Sequence, residues 1–192
     1  MTTAQNLNTN WFCTDNELGA ALSITETISV TTAPETPAAR QQLGDRVQGN
    51  NNSVWIFVQA STTVTAGNLV AIDVNFKANN MTGAFASSLR YTSGIAQFGG
   101  STILSSLTQQ TAQPLDFFWA ALQGAGLCVN CVTSAAAGVQ LYVSGTAGSV
   151  MSTASSTNPI LGLIANTAFT ASGSNTVTDM IAVEPIRAST SV

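Results

Sequence analysis

Along most of the chain, short apolar runs alternate with turns rich in Gly, Ser, Thr and Asn, which is the rhythm of β-strands. No apolar stripe with a 3.6-residue period is sustained long enough to predict a substantial helix. The run SVWIFVQA, residues 53–60, combines β-branched and aromatic residues at strand length and is followed by the turn STTVTAG. In NLVAIDVNF, residues 68–76, Leu69, Ala71 and Asp73 alternate with Val70, Ile72 and Val74. KANNMTGAFASSLRYTSG, residues 77–94, reads as a longer polar loop, and IAQFGGSTILSSL after it is broken at Gly99-Gly100. PLDFFWAALQGAG, residues 114–126, is the most aromatic stretch, and Pro114 and Gly124 bound a predicted strand of about eight residues. LCVNCV, VQLYVS, SVMS, ILGLIANT and TVTDMIAVEPI supply further strands. The pattern predicts an all-β body over residues 53–192, a compact antiparallel β-sandwich or barrel, between which periodicity does not choose.

Turn wording recurs within this body. TVTAGNLVAID, residues 63–73, and SAAAGVQLYVSGTAGSV, residues 134–150, share a T/A-A-G phrase ahead of alternating apolar residues. The phrase places glycine where a turn calls for positive φ before a strand with one buried face. It is too short and isolated for a solenoid or propeller repeat.

Residues 1–52 differ in character and are read as an extended N-terminal arm. The segment is polar and Thr-rich around Pro34 and Pro37, and only NELGAALSI has an apolar grouping suited to a short helix or strand. Trp11 and Phe12 have no local sequence to bury them, which predicts contact with the body or with a neighbouring subunit. The aromatic run Phe117, Phe118 and Trp119 is a second predicted partner-contact patch.

Composition sharpens this picture. Charged residues make up 7% of the 192 residues, far below the roughly 25% of an average soluble domain. Ser and Thr together supply 46 residues, so polarity comes from hydroxyls and amides. Such a surface carries few long side chains to immobilise and little charge to desolvate, which suits packing against copies of itself or a large partner. The net charge is −4, and the five basic residues, Arg40, Arg46, Lys77, Arg90 and Arg187, are scattered. Phosphate neutralisation needs them clustered, so nucleic acid is not an expected partner. No apolar run reaches the length of a membrane-spanning helix, and MTTAQNLNTN has no secretory pattern, so no membrane is expected and synthesis is expected in a cytoplasm.

Histidine is absent, which removes histidine bases, nucleophile pairs and metal ligands together. Cys13, Cys128 and Cys131 remain. CVNC matches a C-x-x-C spacing, but in a regular strand residues three apart point to opposite faces, which predicts buried or half-buried free thiols instead of a disulfide or metal pair. Asp73, Asp116, Asp179 and Glu184 are the remaining carboxylates for acid–base chemistry, and no spacing selects a pair among them. No catalytic residue, cofactor or metal is expected.

The order of the pieces is informative. VQASTTVTAGNLVAID, a loop, IAQFGGSTI, FFWAALQG, AAGVQLYVSGTAGSV, ILGLIANTAF and MIAVEPIRA follow one another. This succession resembles the small all-β capsid decoration, or cement, proteins of tailed bacteriophages, over roughly residues 53–187. The long arm and the extra cysteines depart from that pattern. The resemblance implies a structural virion protein, made in the host bacterial cytoplasm, that binds the capsid exterior and bridges capsomers. Its implied partners are the major capsid protein and copies of itself, with a homotrimer favoured. Two other readings are a small β-sandwich coat protein that forms the shell, and a head fibre or adhesin module. Against the first, residues 1–39 contain no Lys or Arg to face packaged nucleic acid; against the second, no periodic shaft appears.

Overall fold

The computed structural model describes residues 25–26, 41–50, 52–88, 90–98, 111–153, 159–168 and 176–188, with the backbone alone for 25–26 and 176–188. In chain order the elements are β1 (Thr25–Glu26), β2 (Arg46–Gly49), β3 (Ser53–Ala60), β4 (Val64–Thr65), β5 (Leu69–Ile72) and β6 (Lys77–Asn80). After them come α1 (Gly83–Ala86), β7 (Thr92–Ala96), β8 (Thr111–Ala112), β9 (Phe117–Cys131) and β10 (Gln140–Val143). The last are β11 (Val150–Met151), β12 (Pro159–Ala165) and β13 (Thr176–Ala188). The fold is all-β, as the sequence predicts, and it is a barrel.

The sheet closes on itself twice. In the first ring β3 pairs with β6 in parallel, and β6–β5, β5–β7, β7–β9 and β9–β3 are all antiparallel. In the second ring β9 pairs with β13, β13 with β12, β12 with β10 and β10 with β11, and β11 returns to β9 in parallel. One 15-residue strand, β9, belongs to both rings. Closure leaves few unpaired edges, which an exposed sheet would otherwise offer for aggregation.

The predicted end of a strand at Gly124 is corrected by this topology. Gly124 (φ +148°) and Gly126 (φ +80°) bend β9 where it leaves the first ring for the second. The register steps from Leu127 opposite Met180 to Ala125 opposite Ile181, so Gly126 is the extra residue of a bulge. Glycine here redirects the strand without ending it, because a neighbour is waiting on the far side of the bend. LCVNC, residues 127–131, is therefore the far end of β9 and no separate strand.

Two further parts of the sequence reading change. KANNMTGAFASSLRYTSG is not all loop. It holds β6, the capped turn of helix α1 and the first residues of β7. Lys77, Asn79 and Asn80 hide β6 from any hydrophobic pattern, since Ala78 alone among its four residues is fully buried. Pairing to β3 on one side and β5 on the other makes it a strand. The sheet also begins before Ser53, since β2 pairs with β3 and Val47 is buried, although both lie in the stretch read as arm.

Both faces of the first ring are covered. One face joins Trp55, Phe57, Leu69, Ala71, Ile95, Trp119 and Ala121 to the buried residues of the second ring, Leu127, Leu141, Val150 and Leu163 among them. The other gathers Ile56, Val58, Val70, Ile72, Phe118, Ala120 and Leu122, and includes Val64 and Ala112 from the small β4–β8 sheet. Burial on both faces explains why the strand sequences of β3 and β9 read as continuous apolar runs instead of alternating ones.

Candidate functional site

The polar chemistry inside this protein converges where the two rings meet. Gly67 and Gly148, the glycines of the two T-A-G phrases, both have positive φ (+83° and +78°) and sit next to the same asparagine. Leu69 donates its backbone N–H to the carbonyl of Gly148 (2.8 Å), and Gly148 donates to that of Met81 (2.8 Å). Asn130 of β9 donates its N–H to the carbonyl of Gly67 (2.8 Å). Side-chain amides complete the junction. Asn130 Nδ2 donates to Asn68 Oδ1 (2.6 Å) and to the carbonyl of Ala66 (3.1 Å), and Asn68 Nδ2 donates to Asn80 Oδ1 (2.8 Å). Asn80 Nδ2 in turn donates to the carbonyl of Thr63 (2.9 Å). Asn68 and Asn130 are buried, and a buried amide is tolerable only when it is hydrogen-bonded in this way. The junction therefore welds the start of β5 and the end of β6 to β9 and the turn before β11.

Two more side chains extend backbone pairing. Gln97, just past the end of β7, both donates to the carbonyl of Cys128 and accepts from its N–H (3.0 Å), so its amide acts as one more peptide of the ladder. At the seam of the second ring, β11 meets β9 through Val150 opposite Cys131 and the bond from Val132 N–H to the carbonyl of Val150 (2.9 Å). Thr133 Oγ1 accepts there from Ser152 N–H (2.8 Å) and lies 3.1 Å from Ser152 Oγ. Hydroxyls and amides thus do inside this protein what its scarce charges cannot.

The predicted contact residues divide. Trp11 and Phe12 lie outside the described residues. Phe117, Phe118 and Trp119 are brought together on β9 but are buried in their own chain, so they offer no surface to a partner. The physical reason is the closed ring. Phe57 lies against Phe117 (5.7 Å between ring centroids) and Trp119 (5.1 Å) on one face of the wall, and Phe98 meets Phe118 edge-on (5.1 Å) on the other.

The carboxylates are scattered. Asp73 Oδ1 accepts from the N–H groups of Asn75 and Lys77 (2.8 and 2.9 Å), and Asp116 Oδ2 accepts from Gln113 N–H (2.7 Å), so each closes its own turn. Asp179 and Glu184 are placed by backbone only, on β13. Among the described residues no group of three or more His, Cys, Asp or Glu could hold a metal ion, and no helix is long and apolar enough to cross a membrane.

Neither Cys128 nor Cys131 is in a disulfide; they lie on opposite faces of β9, Cys128 half-buried and Cys131 buried, and Cys13 lies outside the described residues. Burial pushes the Cys131 thiol up from its ordinary value, against the smaller opposing effect of its hydrogen bond to the carbonyl of Thr133. The native state therefore favours the protonated thiol. Its contribution to stability is complete below the ordinary thiol range and is lost as pH rises through the shifted value. Iodoacetamide should modify Cys128 well before Cys131 in the native protein, with Cys131 reacting at a comparable rate only after unfolding. Peptide mapping checks this, and equal native reactivity of the two thiols would contradict the buried placement.

No protein-family profile matches the chain, and a comparison with curated proteins finds no significant match.

Proposed function

We propose that this protein is a structural component of a tailed-bacteriophage particle, bound in many copies to the outside of the assembled capsid, where it bridges capsomers. The reading rests on the succession of turn–strand phrases from TVTAGNLVAID through FFWAALQG and AAGVQLYVSGTAGSV to ILGLIANTAF, whose order resembles that of capsid decoration proteins. The double closure of the sheet supports it. A barrel with both rings closed and with Trp55, Phe57, Phe118 and Trp119 buried in its walls is a stiff block that can be repeated on a surface with few edges open to aggregation. Its exterior of hydroxyls and amides offers hydrogen bonds at little desolvation cost, and repetition by symmetry multiplies weak contacts into firm attachment. In this reading the partners are the major capsid protein and copies of this chain, a trimer foremost, and the protein performs no chemistry.

Cryo-electron microscopy of a purified particle containing this chain tests the proposal. The expected map shows a continuous shell of another protein with this barrel standing on its outer surface. A shell built from this chain, or a position inside the capsid or along a fibre, would refute it.

A further inference from the structure

We infer that the two rings are copies of one five-stranded unit joined in tandem through β9, so that one molecule brings two blocks of like fold to its partner at a fixed spacing. The repeat stands on strand register alone, whereas the use of both blocks on a shell rests on the capsid reading above.

In chain order the first unit consists of β3, β5, β6, β7 and the first half of β9. The second consists of the far end of β9, then β10, β11, β12 and β13. In both units the first strand pairs with the third in parallel. The third pairs with the second, the second with the fourth, the fourth with the fifth and the fifth with the first, all antiparallel. The same closure in the same strand order could still arise twice by chance in a small barrel, but register is a stricter criterion, since a slip of one residue flips every side chain.

The registers agree. Ala60 opposite Ala78 in the first unit matches Cys131 opposite Val150 in the second. Ile72 opposite Ala78 and Ala71 opposite Asn79 match Val143 opposite Val150 and Tyr142 opposite Met151. Leu69 opposite Ile95 matches Gln140 opposite Ile164, and Ala96 opposite Ala120 matches Ala165 opposite Met180. Ile56 opposite Ala120 matches Leu127 opposite Met180. Bonds outside the ladders agree as well. Gly67 donates its N–H to the carbonyl of Ala96 (2.7 Å), and Ala96 donates to that of Asn68 (2.9 Å). Gly138 donates to Ala165 (2.8 Å), and Ala165 donates to Val139 (3.0 Å). Ser61 donates to the carbonyl of Ala78 as Val132 does to that of Val150, each at 2.9 Å. Asp73 Oδ1 accepts from Asn75 N–H (2.8 Å), and Ser144 Oγ accepts from Thr146 N–H (3.0 Å). From Ala60 to Asp73 the counterparts keep one offset of 71 residues, as 60 to 131, 67 to 138 and 73 to 144 show. The T/A-A-G phrase recurs because it opens the second strand of each unit.

The equivalence also marks what is special to the contact between the units. Asn68 and Asn80, members of the relay that holds the second unit to the first, correspond to Val139 and Ser152. At the second unit's own turn, an added Cβ on Gly138 meets nothing within 4 Å, whereas one on Gly67 meets Asn130 Oδ1 at 3.1 Å. The asparagines therefore belong to the joint between the blocks and not to the frame they share. That buried joint, with β9 running through both rings, holds the blocks at one spacing, and two linked contacts attach more firmly than either alone.

The test is a graft within the full-length chain. Residues 134–144, SAAAGVQLYVS, are replaced by TVTAGNLVAID, the sequence of residues 63–73, which the repeat aligns one for one. The graft keeps glycine at the left-handed position 138, apolar residues at the buried positions 135, 141 and 143, and a side-chain acceptor at 144. A control graft slipped by one residue uses TTVTAGNLVAI, the sequence of residues 62–72. It carries Gly138→Ala, Val143→Ala and Ser144→Ile, and so loses the turn glycine, core volume and the turn acceptor together. The in-register graft should keep β-rich circular dichroism and unfold cooperatively, and the slipped graft should melt about 10 °C or more below it. An in-register graft that fails to fold, or that melts no higher than the slipped one, would overturn the repeat. In images of particles, both blocks should touch the shell, each over a different coat subunit. Attachment through one block alone would overturn two-point docking. Absence from the capsid exterior would overturn the capsid reading, and the grafts would still decide the repeat.

Discussion

Replacing Trp119 by Ala should lower the stability of the protein by about 3–5 kcal/mol, the range for deleting a large buried aromatic side chain. Trp119 is 2% exposed and stands directly opposite Phe57 in the β3–β9 ladder, with the two ring centroids 5.1 Å apart. Removing the indole loses its transfer free energy and its contacts, and leaves a cavity in the wall of a closed ring. Both neighbouring strands are held by other pairings, so the wall has little freedom to collapse into that space. For a domain whose total stability is of the order of 5–15 kcal/mol, this is a large fraction. Trp119→Phe, which keeps most of the volume, should cost much less. Urea denaturation followed by far-ultraviolet circular dichroism measures both variants. The result also separates two roles for the aromatic run. A core residue shifts the unfolding midpoint, whereas a partner-contact residue would leave the midpoint alone and weaken association. An unmoved midpoint for Trp119→Ala would remove it from the core.

The other large effect is expected at Gly148. With φ at +78°, its backbone lies in the left-handed region, where a non-glycine residue costs roughly 1–2 kcal/mol. Space adds to this. A Cβ built on Gly148 would lie 2.6 Å from Asn68 Nδ2 and 2.7 Å from Asn68 Cγ. Asn68 cannot swing away freely, because its amide group bonds Asn80 and Asn130. Either those buried bonds give way, or Gly148 shifts and weakens its links to Leu69 and Met81, at about 1–3 kcal/mol for each buried group left unsatisfied. Gly148→Ala should therefore destabilise the protein by about 3 kcal/mol or more. Gly138→Ala is the matched control. Its φ is also +78°, but a Cβ there meets nothing within 4 Å, so only the backbone cost of roughly 1–2 kcal/mol applies. The difference between the two midpoints isolates the contribution of the junction between the rings. Equal losses would mean that the asparagine relay adapts at no cost.

The candidate contact site was half legible in the sequence. The order of the residues singles out Phe117, Phe118 and Trp119 as a conspicuous group, but the same signal describes an interface patch and a strand buried on both faces. Apolar content alone does not tell what a side chain will touch. The junction of Asn68, Asn80 and Asn130 was missed altogether. Its one available signal is that Asn68 directly follows the glycine of a T-A-G turn, and asparagine is so common beside turns that the position carries no mark of burial. Cys128 and Cys131 were better placed, because opposite faces follow from strand geometry whatever the strand is paired with.

By itself the sequence determined the local elements. SVWIFVQA coincides with β3, ILGLIANT covers all of β12 but its first residue, Pro159, and the glycines at 67 and 138 take the positive φ that the turn phrase calls for. Local chemistry suffices for these, since β-branched and aromatic residues favour an extended backbone and only glycine enters a left-handed turn cheaply. What only the tertiary structure decided was the pairing. Nothing near Lys77, Asn79 or Asn80 marks a strand; β6 exists because β3 and β5 leave room for one strand between them. Nothing near Gly124 and Gly126 says that β9 continues; it continues because β13 receives its second half. Closure into two rings sharing one strand depends on partners far apart in sequence, such as Val58 with Phe118 and Cys131 with Val150 and Thr176. The free energy of those contacts appears only once the chain is folded, so the one-dimensional pattern carries the strands but not the barrel they close.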